Sequence, residues 1–301
     1  MNYIEKYRYY ILFFIFIVFV LVWLPIIVYG QNIGLKTWFF DVGQGDAIFL
    51  NFADGNQVLI DGGPDGKILQ KLGKAMPFYD RDIDLIILTH PHKDHVFGIV
   101  EILKRYKVGK IVLSKINFDS AVYKEFMDIV KLKNIPLKYL GDGDIINVGN
   151  FAEFDFLSPE LVEGLKNKDF AGENESFGAK GQSLNDSSLV MKFIFGNNSI
   201  LFTGDVGVDI ENTILLQRYN VKSDILKVGH HGSKYSSSEE FLKSVFPEYA
   251  VIQVGAKNKY GHPTEQTLGR LAKIGAKILR NDLDGDIIFI SDGKELYKTK
   301  D

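Results

Sequence analysis

The chain contains six histidines: His90, His92, His95, His230, His231 and His262. All fall in three short segments flanked by glycine or proline, just beyond runs that read as strands, and none belongs to a helical stripe. A lone histidine is most simply a satisfied core or surface residue; six arranged in this way point to a site. The densest segment is Thr89-His90-Pro91-His92-Lys93-Asp94-His95, a His-x-His-x-Asp-His pattern. Beyond a strand end alternate residues project the same way, so His90 and His92 can share one metal ion. Asp94 and His95 follow at the turn into a helix, aimed at a second ion. Imidazole and carboxylate without sulfur suit zinc, with manganese or iron as alternatives. The chain has no cysteine, which excludes thiolate ligands and a disulfide framework.

The elements that must position these residues are short. Residues 35–40, 47–52 and 57–60 are β-rich runs separated by Gly, Asp and Asn, and they predict a meander of hairpins. Residues 85–88 form a continuous apolar run ending in Thr-His, as in a strand buried on both faces. Residues 96–106 and 121–133 carry helical spacing, with a strand at 110–113 between them, so helices should cover a sheet. The second half repeats this plan weakly. The run from Gln57 ends in Asp61 and, one helix later, the run from Asp84 ends in His90. Likewise the run from Asn198 ends in Asp205 and, after a helix near 209–219, the run from Ser223 ends in His230. Two such halves would face each other as a sandwich with the polar strand ends at one edge. Residues 160–186 lack periodicity and read as a surface loop long enough to border a site.

At 46% hydrophobic and 24% charged residues, the composition is that of a globular protein with a buried core. The net charge of −3 supplies no global attraction for nucleic acid, so any such affinity must come from a local basic strip. Lys227, Lys234, Lys257 and Lys259 lie beside the motif segments and are either phosphate contacts or ordinary solvated lysines. At the N-terminus, residues 9–29 are uncharged and follow Lys6 and Arg8. That run is long enough to cross a bilayer as a helix, and its basic flank predicts an inside N-terminus with Gln31 onward outside. A signal peptide cleaved near Val28-Tyr29-Gly30 is the alternative, giving a secreted protein, but signal cores are usually shorter. The expected organisation is a membrane anchor over 1–30 and one domain over 31–301.

With Asp61-Gly62-Gly63, the histidine cluster, Thr203-Gly204-Asp205 and His230-His231-Gly232-Ser233 in that order, the chain resembles the metallo-β-lactamase superfamily. More narrowly it is similar to the hydrolase domain of the competence protein ComEC and its secreted relatives. The residues that carry this likeness are Asp41-Val42-Gly43-Gln44-Gly45-Asp46, Asn185-Asp186-Ser187-Ser188, Leu226-Lys227-Val228-Gly229 before the paired histidines, and Tyr260-Gly261-His262-Pro263. The likeness spans roughly 35–290. It implies an α/β (α+β) fold, a four-layer αββα sandwich, preceded here by one N-terminal transmembrane helix.

Carried over position by position, the resemblance implies that Asp205 bridges both metals, that His231 completes the second, and that Asp61 orients a ligand through a hydrogen bond. It places Gln44 and Asp46 at the rim near substrate. Asn185 and Ser187 occupy the stretch where the family usually has a further histidine for the first metal. They and Ser233 are expected substrate contacts. His230 cannot easily share a metal with its neighbour, and it is a candidate hydrogen-bond donor to a developing anionic oxygen, as is His262 in its Gly-His-Pro turn. The function so implied is an extracytoplasmic metal-dependent hydrolase. Two divalent ions, zinc or manganese, about 3.5–4 Å apart would hold a bridging hydroxide, positioned by Asp94 and Asp205. An acid at 205, where lactam-cleaving members commonly have cysteine, favours a phosphodiester substrate, small or DNA. The alternatives are another ester or amide (a β-lactam, a lactone, phosphorylcholine) or a metal-binding surface protein without turnover. The chain has a single hydrophobic span where ComEC has a multi-span channel, so the resemblance does not extend to DNA import.

Overall fold

The computed structural model describes residues 3–29, 34–116, 118–158 and 184–299, so most of the aperiodic 160–186 segment lies outside the described residues. The short apolar runs separated by turn residues fold into an antiparallel meander of β1 (Leu35–Phe39), β2 (Ile48–Phe52) and β3 (Gln57–Ile60). Helix α2 (Lys67–Ala75) then crosses over to β4 (Asp82–Leu88), which runs parallel to β3. Helix α3 (Lys93–Arg105), β5 (Lys107–Leu113), α4 (Ala121–Leu132) and β6 (Leu137–Tyr139) continue the parallel series.

The second sheet begins with the antiparallel strands β7 (Ile145–Val148), β8 (Ala152–Ser158) and β9 (Val190–Phe195). It continues through β10 (Asn198–Phe202), α5 (Val208–Leu216), β11 (Ile225–Lys227), α6 (Glu239–Val245), β12 (Tyr249–Ile252), α7 (Glu265–Lys273) and β13 (Lys277–Arg280), with β10 to β13 parallel. A short α8 (Asn281–Asp284) leads back to the first sheet, where β14 (Ile287–Ser291) pairs with β1 and β15 (Leu296–Lys298) pairs with β14. The orders are β15-β14-β1-β2-β3-β4-β5-β6 and β13-β12-β11-β10-β9-β8-β7.

Strand periodicity of two sorts the side chains between layers. Phe39, Phe52, Phe154, Phe193, Phe202 and Phe289 fill the space between the sheets. Trp38 and Phe40, which flank Phe39, and Phe49 of β2 turn outward, onto the apolar stripes of α2, α3 and α4. Leu201, Leu226 and Ile252 do the same beneath α5, α6 and α7. The result is the four-layer αββα sandwich. The two loose repeats are the units β3–α2–β4 and β10–α5–β11, both parallel crossovers.

Two boundaries differ from the sequence expectation. Strand β5 starts at Lys107, and α3 starts at Lys93, so Asp94 and His95 lie in its first turn rather than before it. Strands β14 and β15 are not among the expected elements: a β-prone run such as Ile287–Ser291 does not say which strand it joins, and β14 pairs with the distant β1 while β15 pairs with β14. The N-terminal run is the 27-residue helix α1 (Tyr3–Tyr29); over Tyr7–Leu24 it is apolar, and none of that stretch is buried.

Candidate metal centre

The carboxyl ends of β3, β4, β10, β11 and β12 meet at one edge of the sandwich, and each delivers one part of the site. Asp61 follows β3 and the histidine cluster follows β4. Asp205 follows β10, the paired histidines follow β11, and Gln253 follows β12. Three of these residues sit in left-handed backbone: Asp61 at φ 57°, His230 at 47° and His231 at 53°. Non-glycine residues rarely hold such angles, and a functional site is where they concentrate. Two in succession let His231 turn into the interior while His230 stays half-buried.

Glycine lets α3 come close enough for its first turn to join the site. A Cβ at Gly98 would lie 1.8 Å from the Gly62 carbonyl oxygen. The Gly62 amide donates to the His95 carbonyl at 2.8 Å, and the Gly98 amide to that of Gly63 at 3.0 Å. This approach puts the His95 ring against Asp61, whose Oδ2 faces Nδ1 at 2.8 Å. The same carboxylate accepts from the Thr89 amide at 2.8 Å and from its hydroxyl at 2.7 Å. With Nδ1 engaged, His95 presents Nε2 to the centre. His231 is oriented likewise, its Nδ1 lying 2.9 Å from the Gln253 carbonyl oxygen.

In the centre, Asp205 Oδ2 stands 3.4 Å from His95 Nε2 and 3.3 Å from His231 Nε2. Asp94 brings Oδ2 to 3.4 Å from His231 Nε2 and Oδ1 to 3.9 Å from His95 Nε2. Asp94, His95, Asp205 and His231 each offer one atom, all within 4.8 Å of one another. Beside them, His90 Nε2 and His92 Nδ1 are 3.0 Å apart. The Nε2 atoms of His95 and His231 are buried without a hydrogen-bond partner among the described residues. Buried nitrogens are normally paired, and two orphans aimed at the same carboxylates fit a divalent cation.

The electrostatics follow from this crowding. Burial alone would push Asp205 up, but His231, His95 and Lys227 outweigh it and hold the carboxyl well below its usual range. Burial likewise opposes charge on His95 and His231, yet Asp205 and its companion acids hold both well above an ordinary histidine. His90 lies well below the usual range, through burial first and then the neighbouring His95 and His92.

A metallo-β-lactamase superfamily model matches residues 40–255. The chain belongs to that superfamily, and it is a metal-dependent hydrolase. It is 30% identical over 264 residues to ComE operon protein 3 of Bacillus subtilis, covering 82% of this chain and 32% of that one. It is 43% identical over 256 residues to competence protein ComA of Neisseria gonorrhoeae, covering 83% and 31%. The chain therefore spans about a third of the length of these relatives. Among solved structures, the metallo-β-lactamase fold protein YhfI of Bacillus subtilis superposes with a TM-score of 0.56 at 11% identity, covering 86% of this chain and 100% of that one.

Several residues of this superfamily member stand elsewhere than their motifs suggest. Asp46, expected at the substrate rim, is buried, ion-paired with Lys227 and 3.4 Å from His231 Nδ1. The cause is Gly45, which has room only for a hydrogen against the Asp94 carbonyl and folds the loop inward. Lys227 is correspondingly no surface phosphate contact: its Nζ donates to the Gly204 carbonyl at 2.8 Å and lies 3.4 Å from Asp205 Oδ1. Burial would lower its pKa, but Asp46 and Asp205 raise it. Ser187 donates into its own turn, to the Leu184 carbonyl at 2.6 Å. The Ser233 hydroxyl is buried and accepts from the Tyr235 amide at 3.3 Å. The Gln44 side chain accepts from the Gly255 amide at 3.3 Å. Asn185 does reach the site, with Nδ2 3.3 Å from His230 Nε2, and the His262 ring lies edge-on to His230 at 5.6 Å.

Sequence reasoning missed Thr89, Ser188 and Gln253 and misplaced Lys227. Ser188 Oγ accepts from the Asp205 amide at 3.1 Å and so supports the loop that carries the acid. Lys227 had a visible signal, a charge inside the apolar run Ile225-Leu226-Lys227-Val228. The others are ordinary polar residues next to strand ends.

Proposed function

We propose that the chain is an extracytoplasmic phosphodiesterase holding two divalent ions, zinc or manganese, in this site, with 1–30 as membrane anchor and 31–301 as the hydrolase domain. The observation that carries this reading is the donor set: two imidazoles in contact at His90 and His92, beside a group of two carboxylates and two imidazoles of which only Asp94 is half-exposed. Nitrogen and oxygen donors without sulfur suit hard phosphate oxygens as co-ligands. His90, His92, Asp94, His95, Asp205 and His231 would hold the ions, which would supply a more acidic bound water and offset charge on the phosphate.

The chain's own residues then have distinct tasks. Asp61 and the Gln253 carbonyl hold the rear nitrogens of His95 and His231, fixing which nitrogen faces inward. Asp205 and Asp94 supply the negative charge that attracts the ions. His230 and His262 stand at the mouth. Burial lowers the pKa of both, that of His262 to about 4, so each is a neutral imidazole at pH 7. A neutral N–H there can donate to a developing anionic oxygen without itself attracting a counter-ion. Asn185 positions His230 from the side. The competence relatives support DNA as one of the phosphodiesters.

The test is hydrolysis by the full chain in detergent, loaded with zinc or manganese, on DNA, bis-nitrophenyl phosphate and a cephalosporin, with His92→Ala and Asp205→Ala as controls. Cleavage of either phosphodiester that disappears in both variants supports the reading. Turnover of the cephalosporin alone sinks it. If DNA is the substrate, affinity must fall steeply with salt as phosphate contacts release counter-ions.

A further inference from the structure

Strand direction gives the sandwich two unlike ends. The site occupies the carboxyl ends of β3, β4, β10 and β11. The amino ends of β1, β3, β4 and β5 lie together at the opposite end. The chain enters the domain there: the Ala53 amide donates to the Gly34 carbonyl at 2.8 Å, one residue before β1. On the same rim the Gln57 side chain, at the start of β3, donates to Asp80 Oδ2 at 2.6 Å. Asp80 closes the loop between α2 and β4, whose tip is Phe78-Tyr79. These adjacent rings pack edge to face at 5.4 Å and are 84% and 75% exposed. Lys74, Arg81 and Lys107 are exposed at this end of the sandwich, as is Leu132 at the end of α4, and the Arg81 guanidinium donates to the Tyr106 hydroxyl at 2.7 Å. Of the acids at this end, Asp80 accepts from the Gln57 side chain, Asp84 from the Gln57 amide at 2.8 Å and Asp54 from the Asn56 amide at 3.1 Å, while Asp82 faces Lys107 at 3.8 Å. Two exposed aromatic rings on a rim that also carries long cations match the water–lipid boundary, where aromatic and snorkelling cationic side chains collect.

Chain length brings this end to a bilayer. Residues 9–29 as a helix are about 31 Å long at 1.5 Å per residue, the thickness of a hydrocarbon core. From Tyr29 to Gly34 there are five Cα steps, at most about 18 Å. Each headgroup layer takes about 5–8 Å of that. Across the sheet, β1 and β4 are three strand spacings apart, about 14 Å. The Phe78-Tyr79 tip therefore lies on the part of the domain that the tether keeps within reach of the lipid surface.

We propose that the end of the sandwich opposite the metal centre, led by Phe78 and Tyr79, docks on the headgroup layer of the bilayer that α1 enters, so that the site faces away from the membrane. The inference rests on α1 being an uncleaved anchor. It assigns the exposed pair a partner and gives the hydrolase a fixed orientation toward substrates arriving from bulk solvent.

Because the chain has no cysteine, single-cysteine variants of the full chain can be spin-labelled cleanly in vesicles of phosphatidylcholine and phosphatidylglycerol. Labels would be placed by Phe78→Cys, Tyr79→Cys, Phe16→Cys within α1 and Tyr260→Cys beside the site. Collision with oxygen, which partitions into lipid, is compared with collision with a nickel chelate, which stays in water. The expected order of nickel access is 260 highest, 78 and 79 severalfold lower, and 16 lowest. Labels at 78 and 79 as accessible to nickel as that at 260, with 16 still shielded, overturn the docking while the anchor stands. A label at 16 that is also open to nickel overturns the anchor, and the docking with it.

Discussion

Lys227→Met is the most informative single change in this protein. Lys227 is 1% and Asp46 2% exposed, and their ion pair closes a corner lined by His231 and His95. Methionine keeps the length and the apolar stem but leaves Asp46 without its main cation. What remains nearby is His231 Nδ1 at 3.4 Å and His95 Nδ1 at 3.9 Å. Breaking a buried pair by removing one partner costs about 3–5 kcal/mol, because the other charge is left desolvated. In a domain of this size each kcal/mol moves Tm by about 2–4 °C, so the melting temperature should fall by between about 6 and 20 °C. Removing both charges in Asp46→Asn/Lys227→Met should recover most of that loss, since a buried ion pair is often no more stable than a neutral replacement. The assay is thermal melting of the metal-stripped full chain in detergent for wild type, both single variants and the double variant, with the coupling taken from the cycle. If Lys227→Met melts with wild type, or the double variant loses the sum of the two singles, Asp46 and Lys227 are not coupled.

Three further outcomes follow from the geometry. Asp61→Ala should weaken metal affinity by about 10–100-fold through loss of orientation at His95, measured by competition with a chelator; unchanged affinity would show that Thr89 and the backbone suffice. In the metal-free protein Asp205 and its companion acids raise the pKa of His95 and His231 against the effect of burial, favouring protons that a bound ion must displace. Affinity should therefore rise as pH is raised through and above neutrality. Calorimetry in buffers of different ionisation enthalpy should count released protons, and a count of zero refutes the pairing. Gly98→Ala puts a Cβ 1.8 Å from the Gly62 carbonyl oxygen, forcing α3 outward. A loss of about 1–3 kcal/mol is expected, together with weaker metal binding as Asp94 and His95 move; retention of full affinity would show that the close approach is not what seats them.

What was legible in the sequence was what depends on near neighbours. His90, His92, Asp94 and His95 are brought together by a strand end and one helical turn, so their spacing alone announces a metal-binding cluster. The β1–β2–β3 meander, the helices α3 and α4, and the paired strand–helix–strand repeats are likewise local patterns of apolar and turn residues. Asp46 and Lys227 were misjudged because their surroundings are not local. One was expected at the rim and the other as a phosphate contact or a solvated lysine, yet a loop of the first sheet meets the end of β11 in the second and both are buried, each as the other's partner. Ser187 and Ser233 looked like substrate contacts because a hydroxyl in a motif is ambiguous until its own turn claims it. The return of β14 to β1 was invisible for a related reason: strand pairing is written in backbone hydrogen bonds that any β-compatible run can make. Residue identity and spacing therefore determined the chemistry of the cluster. Which acids orient it, which cation neutralises them and at which edge of the sandwich it lies were settled only when two sheets packed together, since burial and charge pairing are properties of the assembled core rather than of any segment of chain.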